Sequence, residues 1–232
     1  MSLSARVAIA VTSSLLLVGC GSASEPSPPT GVDELVIPTP SLDPADFVED
    51  VDNPWLPLAP ASEWEYRATS SGEVATITVT VLDDTREVQG VTATAVREAV
   101  VTRGRPVEET TDWFAQDTDG NVWHVGEDGV WEAGVDGAEA GLAMPAQPRV
   151  GDGYRREHAE GVAEDRAQVV GLDGSASVPY GDLIDLLETE DSSPLEPGVV
   201  ERRLYARGIG LVRAQTVSGG DELVELVAFR EG

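Results

Sequence analysis

Six consecutive residues, Thr76-Ile77-Thr78-Val79-Thr80-Val81, alternate a hydroxyl with a branched aliphatic side chain. Successive side chains of an extended chain point to opposite faces, so this run has one dry face and one wet face. β-branching at every position favours a strand over a helix. The surrounding sequence repeats the theme. Trp64 and Tyr66 alternate with charged residues ahead of Ser70-Ser71-Gly72, and Gly90 precedes a run of Val, Thr and Ala reaching about Thr102. Arg103-Gly104-Arg105-Pro106 then turns the chain into a strand over 107–116. Near the C-terminus, strands over 199–205, 211–217 and 222–230 are separated by Arg207-Gly208-Ile209-Gly210 and Ser218-Gly219-Gly220-Asp221, the signature of a meander. Turns recur at intervals of about ten residues, and helical periodicity is nearly absent. The expected fold is all-β, an antiparallel sheet of about ten strands curled into a barrel or half-barrel with little helix. Leu183, Ile184, Leu186 and Leu187 have helical spacing within 178–190, but Gly181 and the flanking turns favour a strand. The glycine-rich stretch 134–153 reads as a long loop over one end of the sheet, of a length that often carries function.

Asn53-Pro54-Trp55-Leu56-Pro57-Leu58 opens the sheet region, where Pro54, Pro57 and Pro60 forbid regular structure and Trp55 with Leu56 offers an apolar plug. Just before it, Asp43-Pro44 supplies an N-cap and an N1 proline, and Phe47, Val48 and Val51 would form one face of a short helix.

The first residues have a different purpose. Arg6 precedes an apolar run from Val7 to Val18, too short for a bilayer span and followed by Gly19 and Cys20, the sole cysteine. Leu17-Val18-Gly19-Cys20 resembles the bacterial lipobox, which implies cleavage before Cys20 and acylation of its thiol by diacylglycerol and palmitate-type chains. Several acyl chains, at about 0.8 kcal/mol per buried methylene, hold a protein on a membrane far better than one myristate. The organisation is therefore a signal peptide over 1–19, a Ser/Pro-rich disordered tether over 20–42, and one all-β domain over 43–232 on the extracytoplasmic face of the cell membrane. With Cys20 lipidated, no thiol is left for a disulfide.

Charge narrows the partners. The chain has 42 Asp and Glu against 15 basic residues, all arginine, for a net −27. Loss of Arg6 with the leader makes it −28. Such a surface repels nucleic acid and anionic headgroups and attracts cations.

The densest interior stretch is 112–131, where aromatic strands flank Asp119-Gly120-Asn121 and Asp128-Gly129. Asp-Gly favours the positive φ of tight hairpins, and two consecutive hairpins account for it. Asp117, Asp119 and Asn121 also present alternating oxygens that suit calcium. An EF-hand is excluded, because Gly120 falls at loop position four and Asp128 at twelve, so any calcium site there is irregular. The two histidines, His124 and His158, read as packed or surface residues, with a joint metal site involving Glu157 or Glu160 as the alternative. No nucleophile elbow, P-loop or His-Glu-x-x-His is present. The tryptophans at 55, 64, 113, 123 and 131 read as packing residues or as the lining of a ligand groove.

Pro57-Leu58-Ala59-Pro60 with Trp64 and Tyr66, together with Tyr205-Ala206-Arg207-Gly208-Ile209-Gly210-Leu211-Val212, resembles the first and last landmarks of a family of uncharacterised secreted bacterial lipoproteins. The resemblance spans the domain and implies fold and setting, not activity. This chain has Ala61 where that family usually has glycine. The expected function is a non-catalytic, membrane-anchored binding module for an apolar or cationic ligand. The alternatives are a calcium-stabilised structural or interaction protein of the envelope and, further behind, a hydrolase. No cofactor other than calcium is implied.

Overall fold

The computed structural model describes residues 42–232, so the leader, the acylation candidate Cys20 and the tether up to residue 41 lie outside the described residues. The described chain forms one 14-stranded antiparallel sheet that is curled but not closed. Its strands are β1 (Phe47–Val48), β2 (Glu63–Ser70), β3 (Glu73–Val88), β4 (Val91–Thr102), β5 (Arg105–Asp117), β6 (Val122–Glu127), β7 (Trp131–Glu132), β8 (Gly141–Met144), β9 (Gly153–Arg155), β10 (Arg166–Val178), β11 (Gly181–Ser192), β12 (Val200–Ala206), β13 (Gly210–Ser218) and β14 (Leu223–Arg230). Ten of these have six residues or more, in keeping with the expected count of about ten, although β10 is not among the strands expected from the sequence; the other four have two to four.

Two meanders make the sheet. Strands β2 to β7 run outward in one direction and β14 to β9 in the other, joined where the first long strand β2 pairs with the last, β14. The tight turns are local chemistry: Ser71-Gly72, Gln89-Gly90 and Arg103-Gly104 each place two residues at positive φ, the hairpin geometry that matches strand twist. The alternating run of β3 pairs in register with both neighbours, Val79 opposite Trp64 on β2 and Glu98 on β4.

Three expectations need correction. The helix expected after Asp43-Pro44 is one 3-10 turn, Pro44–Asp46, with Asp43 accepting from the Ala45 amide at 3.0 Å. Phe47 and Val48 then turn extended to pair with Asp117 and Gln116, because an unpaired β5 end offers them a ladder. The tether boundary moves too, since Leu42 is buried in the core. Most consequentially, 134–153 is not a plain loop: it contains β8, buried at all four positions and paired with β6, and ends in β9. Gly-Leu-Ala-Met has no wet face, hence no alternation to read.

The segment from β7 to β9 crosses between the two outer edges of the sheet. β8 lies along β6, and Glu139 bridges to His158 beyond β9. Gly141 makes this approach feasible, because a Cβ there would sit 2.1 Å from the Arg156 carbonyl oxygen.

The two landmarks of the family resemblance touch. Gly208 donates its amide to the Pro54 carbonyl at 2.7 Å, Trp64 Nε1 donates to the Ile209 carbonyl at 2.6 Å, and Tyr66 Oη donates to the Leu211 carbonyl at 3.0 Å. Asn53 secures the entry: its Oδ1 accepts from the Trp55 amide at 2.8 Å and its Nδ2 donates to Gly120 and Pro145. Ala61 sits at φ 66, a left-handed conformation that favours glycine.

Candidate functional site

Curling the sheet leaves a concave face, and that face holds a cavity of about 350 Å³. Period-two alternation decides its lining: Trp64 and Tyr66 from β2, Ile77 and Val79 from β3, Val96 and Glu98 from β4, Asp112 and Phe114 from β5, and Glu201, Arg203 and Tyr205 from β12. Leu56 and Leu58 of the proline-rich entry also line it. The lining is thus largely apolar, with the charged side chains of Glu98, Asp112, Arg156, Glu201, Arg203 and Glu222 set into it.

Two buried charge clusters engage several of these side chains. In the first, His124 of β6 stacks on Phe114 at 4.8 Å and meets Trp131 edge-on at 4.9 Å. Its Nε2 is 3.0 Å from both Asp112 Oδ1 and the Gly126 carbonyl, and its Nδ1 is 3.2 Å from Glu157 Oε1. Burial disfavours the charged ring, but hydrogen bonds to the two carboxylates outweigh it and push the histidine up to about 9. Glu157 shows the reciprocal effect: burial opposes its charge, yet His124 holds it below the usual carboxylate range.

In the second cluster, Asp191 of β11 is 6% exposed. It accepts from Arg156 Nη1 at 2.6 Å and from Thr189 Oγ1 at 2.7 Å, with Arg203 Nε at 3.4 Å. Burial works against its charge, but the two guanidiniums win and keep it below its ordinary value. Arg203 Nε also donates to Glu201 at 2.5 Å.

The clusters share a backbone. Arg156 and Glu157 are consecutive, their amides donate to the Asp165 carbonyl at 2.7 and 3.3 Å, and their side chains reach different parts of the sheet. Arg156 takes the β11 side and Glu157 the β6 side. Glu157 thus carries buried charge from the residues after β9 across to β6, while Arg156 braces its own half of the sheet at β11.

The residues singled out from the sequence fare differently. Asp117 accepts at Oδ1 from the Asn121 amide at 2.8 Å, and at Oδ2 from Asn121 Nδ2 at 2.9 Å and Trp123 Nε1 at 2.8 Å. Asn121 Oδ1 accepts from the Ala146 amide at 2.9 Å, and Asp119 is exposed at the tip. These oxygens serve the hairpin and its contact with the segment after β8. His124 does meet Glu157, whereas His158 lies 3.7 Å from Glu139 and Glu160 is exposed. Among the described residues no group of three metal-ligating side chains converges. Trp64 lines the cavity, and Trp55 is buried with Arg207 stacked 4.1 Å over it.

Sequence reasoning missed Glu98, Asp112, Arg156, Asp191 and Arg203. One signal was available in Glu201, Arg203 and Tyr205, which share a strand face with a partly apolar pattern, so that a charge there faces inward.

No family model and no curated protein sequence matches the chain. Among solved structures, it is similar to a candidate lipoprotein from Parabacteroides distasonis, with TM-score 0.45 and 10% identity over 79% of this chain and 100% of that one. That likeness is too loose to carry an argument about function.

Proposed function

We propose that this protein is a lipid-anchored, extracytoplasmic binding module that holds a small amphiphilic ligand in the concave face of its sheet, without catalysis. The observation carrying the reading is the cavity itself, whose largely apolar lining carries a few charged side chains, the usual composition of a ligand site. The anchor rests on Cys20 following an apolar leader.

A hydrolytic role has less behind it. A general base must present a free nitrogen to its substrate, but both nitrogens of His124 are held by carboxylates and its ring is sandwiched between aromatics. Calcium at Asp117, Asp119 and Asn121 would have to displace the hydrogen bonds that shape the hairpin.

The test has two stages. Cys20→Ala should abolish acylation and membrane retention of the full chain. That chain should then bind the neutral dye Nile red at one saturable site, and Ala214→Trp, which fills the cavity from β13, should abolish binding. Lipid label remaining on Cys20→Ala would refute the anchor, and dye binding unaffected by Ala214→Trp would refute the cavity.

A further inference from the structure

The charged groups around the cavity are not equivalent. Arg156 is committed to Asp191, Arg203 to Asp191 and Glu201, and Asp112 to His124. Glu98 has no such commitment. It lines the cavity from β4, beside Val79 of β3, and among the described residues its carboxylate has no hydrogen-bond or ion-pair partner. Glu222, exposed at the rim before β14, is also unpaired and near enough for its charge to act on Glu98.

Four carboxylates line the cavity against two arginines, and both arginines already have acidic partners. An entering anion would therefore meet net negative charge. An entering cation would instead supply the partner that Glu98 lacks. Leaving a carboxylate unpaired against apolar neighbours is unfavourable, and a ligand that pairs it while covering Ile77, Val79 and Val96 relieves both penalties together.

Resting on the binding-module reading above, we infer that the cavity selects an amphiphilic cation, with an ammonium-type head on an apolar body, Glu98 serving as the counter-ion inside and Glu222 as a second one at the rim. The local electrostatics agree. Burial, then the charges of Asp112 and Glu108, raises the Glu98 carboxyl above its ordinary value, and Arg203 only partly opposes this. A bound cation would reverse that shift.

The experiment titrates the full-length Cys20→Ala chain by calorimetry at low salt and neutral pH with three probes of equal chain length: octyltrimethylammonium, octan-1-ol and octanoate. The cation should bind about tenfold or more tighter than the alcohol, and octanoate weakest. Glu98→Gln should erase the tenfold preference and leave octanol affinity unchanged, while Glu222→Gln should reduce it by less. Removing a repelled carboxylate should not lower the melting temperature of Glu98→Gln, so loss of preference will not reflect unfolding. Equal binding of alcohol and cation, tighter binding of octanoate, or a preference that survives Glu98→Gln would overturn cation selection while leaving the binding module standing. Binding of none of the three to a normally melting chain would overturn the module itself.

Discussion

The two ways this sheet is held together differ in kind. From β2 through β5, and again through β13 and β14, neighbours are joined by backbone ladders with glycine turns, and their charged pairs are peripheral: Arg67 to Glu225 at 2.8 Å, Arg103 to Glu73 at 2.5 Å, Arg230 to Glu63. Around the residues that follow β9 the support is different, for buried side-chain charge is added there to the backbone pairing. His124 with Glu157 and Arg156 with Asp191 are buried and carry perturbed ionisation, and one dipeptide connects them. The lesson is one of dielectric. An exposed pair is screened and contributes little, whereas a buried charge that loses its partner leaves a heavy penalty.

The largest effect should come from Asp191→Asn. It keeps the shape but leaves Arg156 without a carboxylate, so urea unfolding should report a loss of about 3–5 kcal/mol. Removal of the ladder-region pair by Arg67→Ala should cost about 1 kcal/mol or less. Equal costs for the two variants would erase the distinction between peripheral and buried pairs.

Next in size is the alkaline response of the buried charges. His124 is raised from 6.5 to about 9 in the folded chain, so the fold binds its proton more tightly than the unfolded chain does. Its stabilisation is complete below 6.5 and is lost as pH rises to about 9, at most about 3 kcal/mol. Asp191 and Glu157 act in the opposite sense. Their lowered values stabilise the fold above the ordinary carboxylate range, and that contribution goes as pH falls through the lowered values. Melting temperature against pH should show the alkaline decline in the parent chain, and His124→Gln should flatten it. An equally steep decline in His124→Gln would locate the sensitivity elsewhere.

The smallest effect concerns the ladder side, at the hairpin of Asp117 and Asn121. With 42 acidic residues against 15 arginines, added salt should raise the melting temperature by screening. At matched ionic strength, calcium, magnesium and sodium should shift it equally, because the Asp117 and Asn121 oxygens already accept hydrogen bonds. A larger shift with calcium, abolished by Asp117→Asn, would establish an irregular calcium site there.

The strands and hairpins were legible in the sequence because their causes are local. Alternation over Thr76–Val81 and pairs such as Ser71-Gly72 act within a few residues, so most of the long strands could be read without tertiary information. β8 escaped, because Gly141–Met144 is buried on every side and its pairing partner on β6 lies well before it in sequence. The candidate site escaped for a similar reason. Among 42 acidic residues nothing local separates Glu98, unpaired in a cavity, from Asp117, satisfied within its own turn. Sequence alone determined the all-β class, the hairpins and the acidity. Only the tertiary structure decided which charges are buried, which are paired and which one is left facing an apolar lining, because those depend on where the curling sheet brings distant strands together.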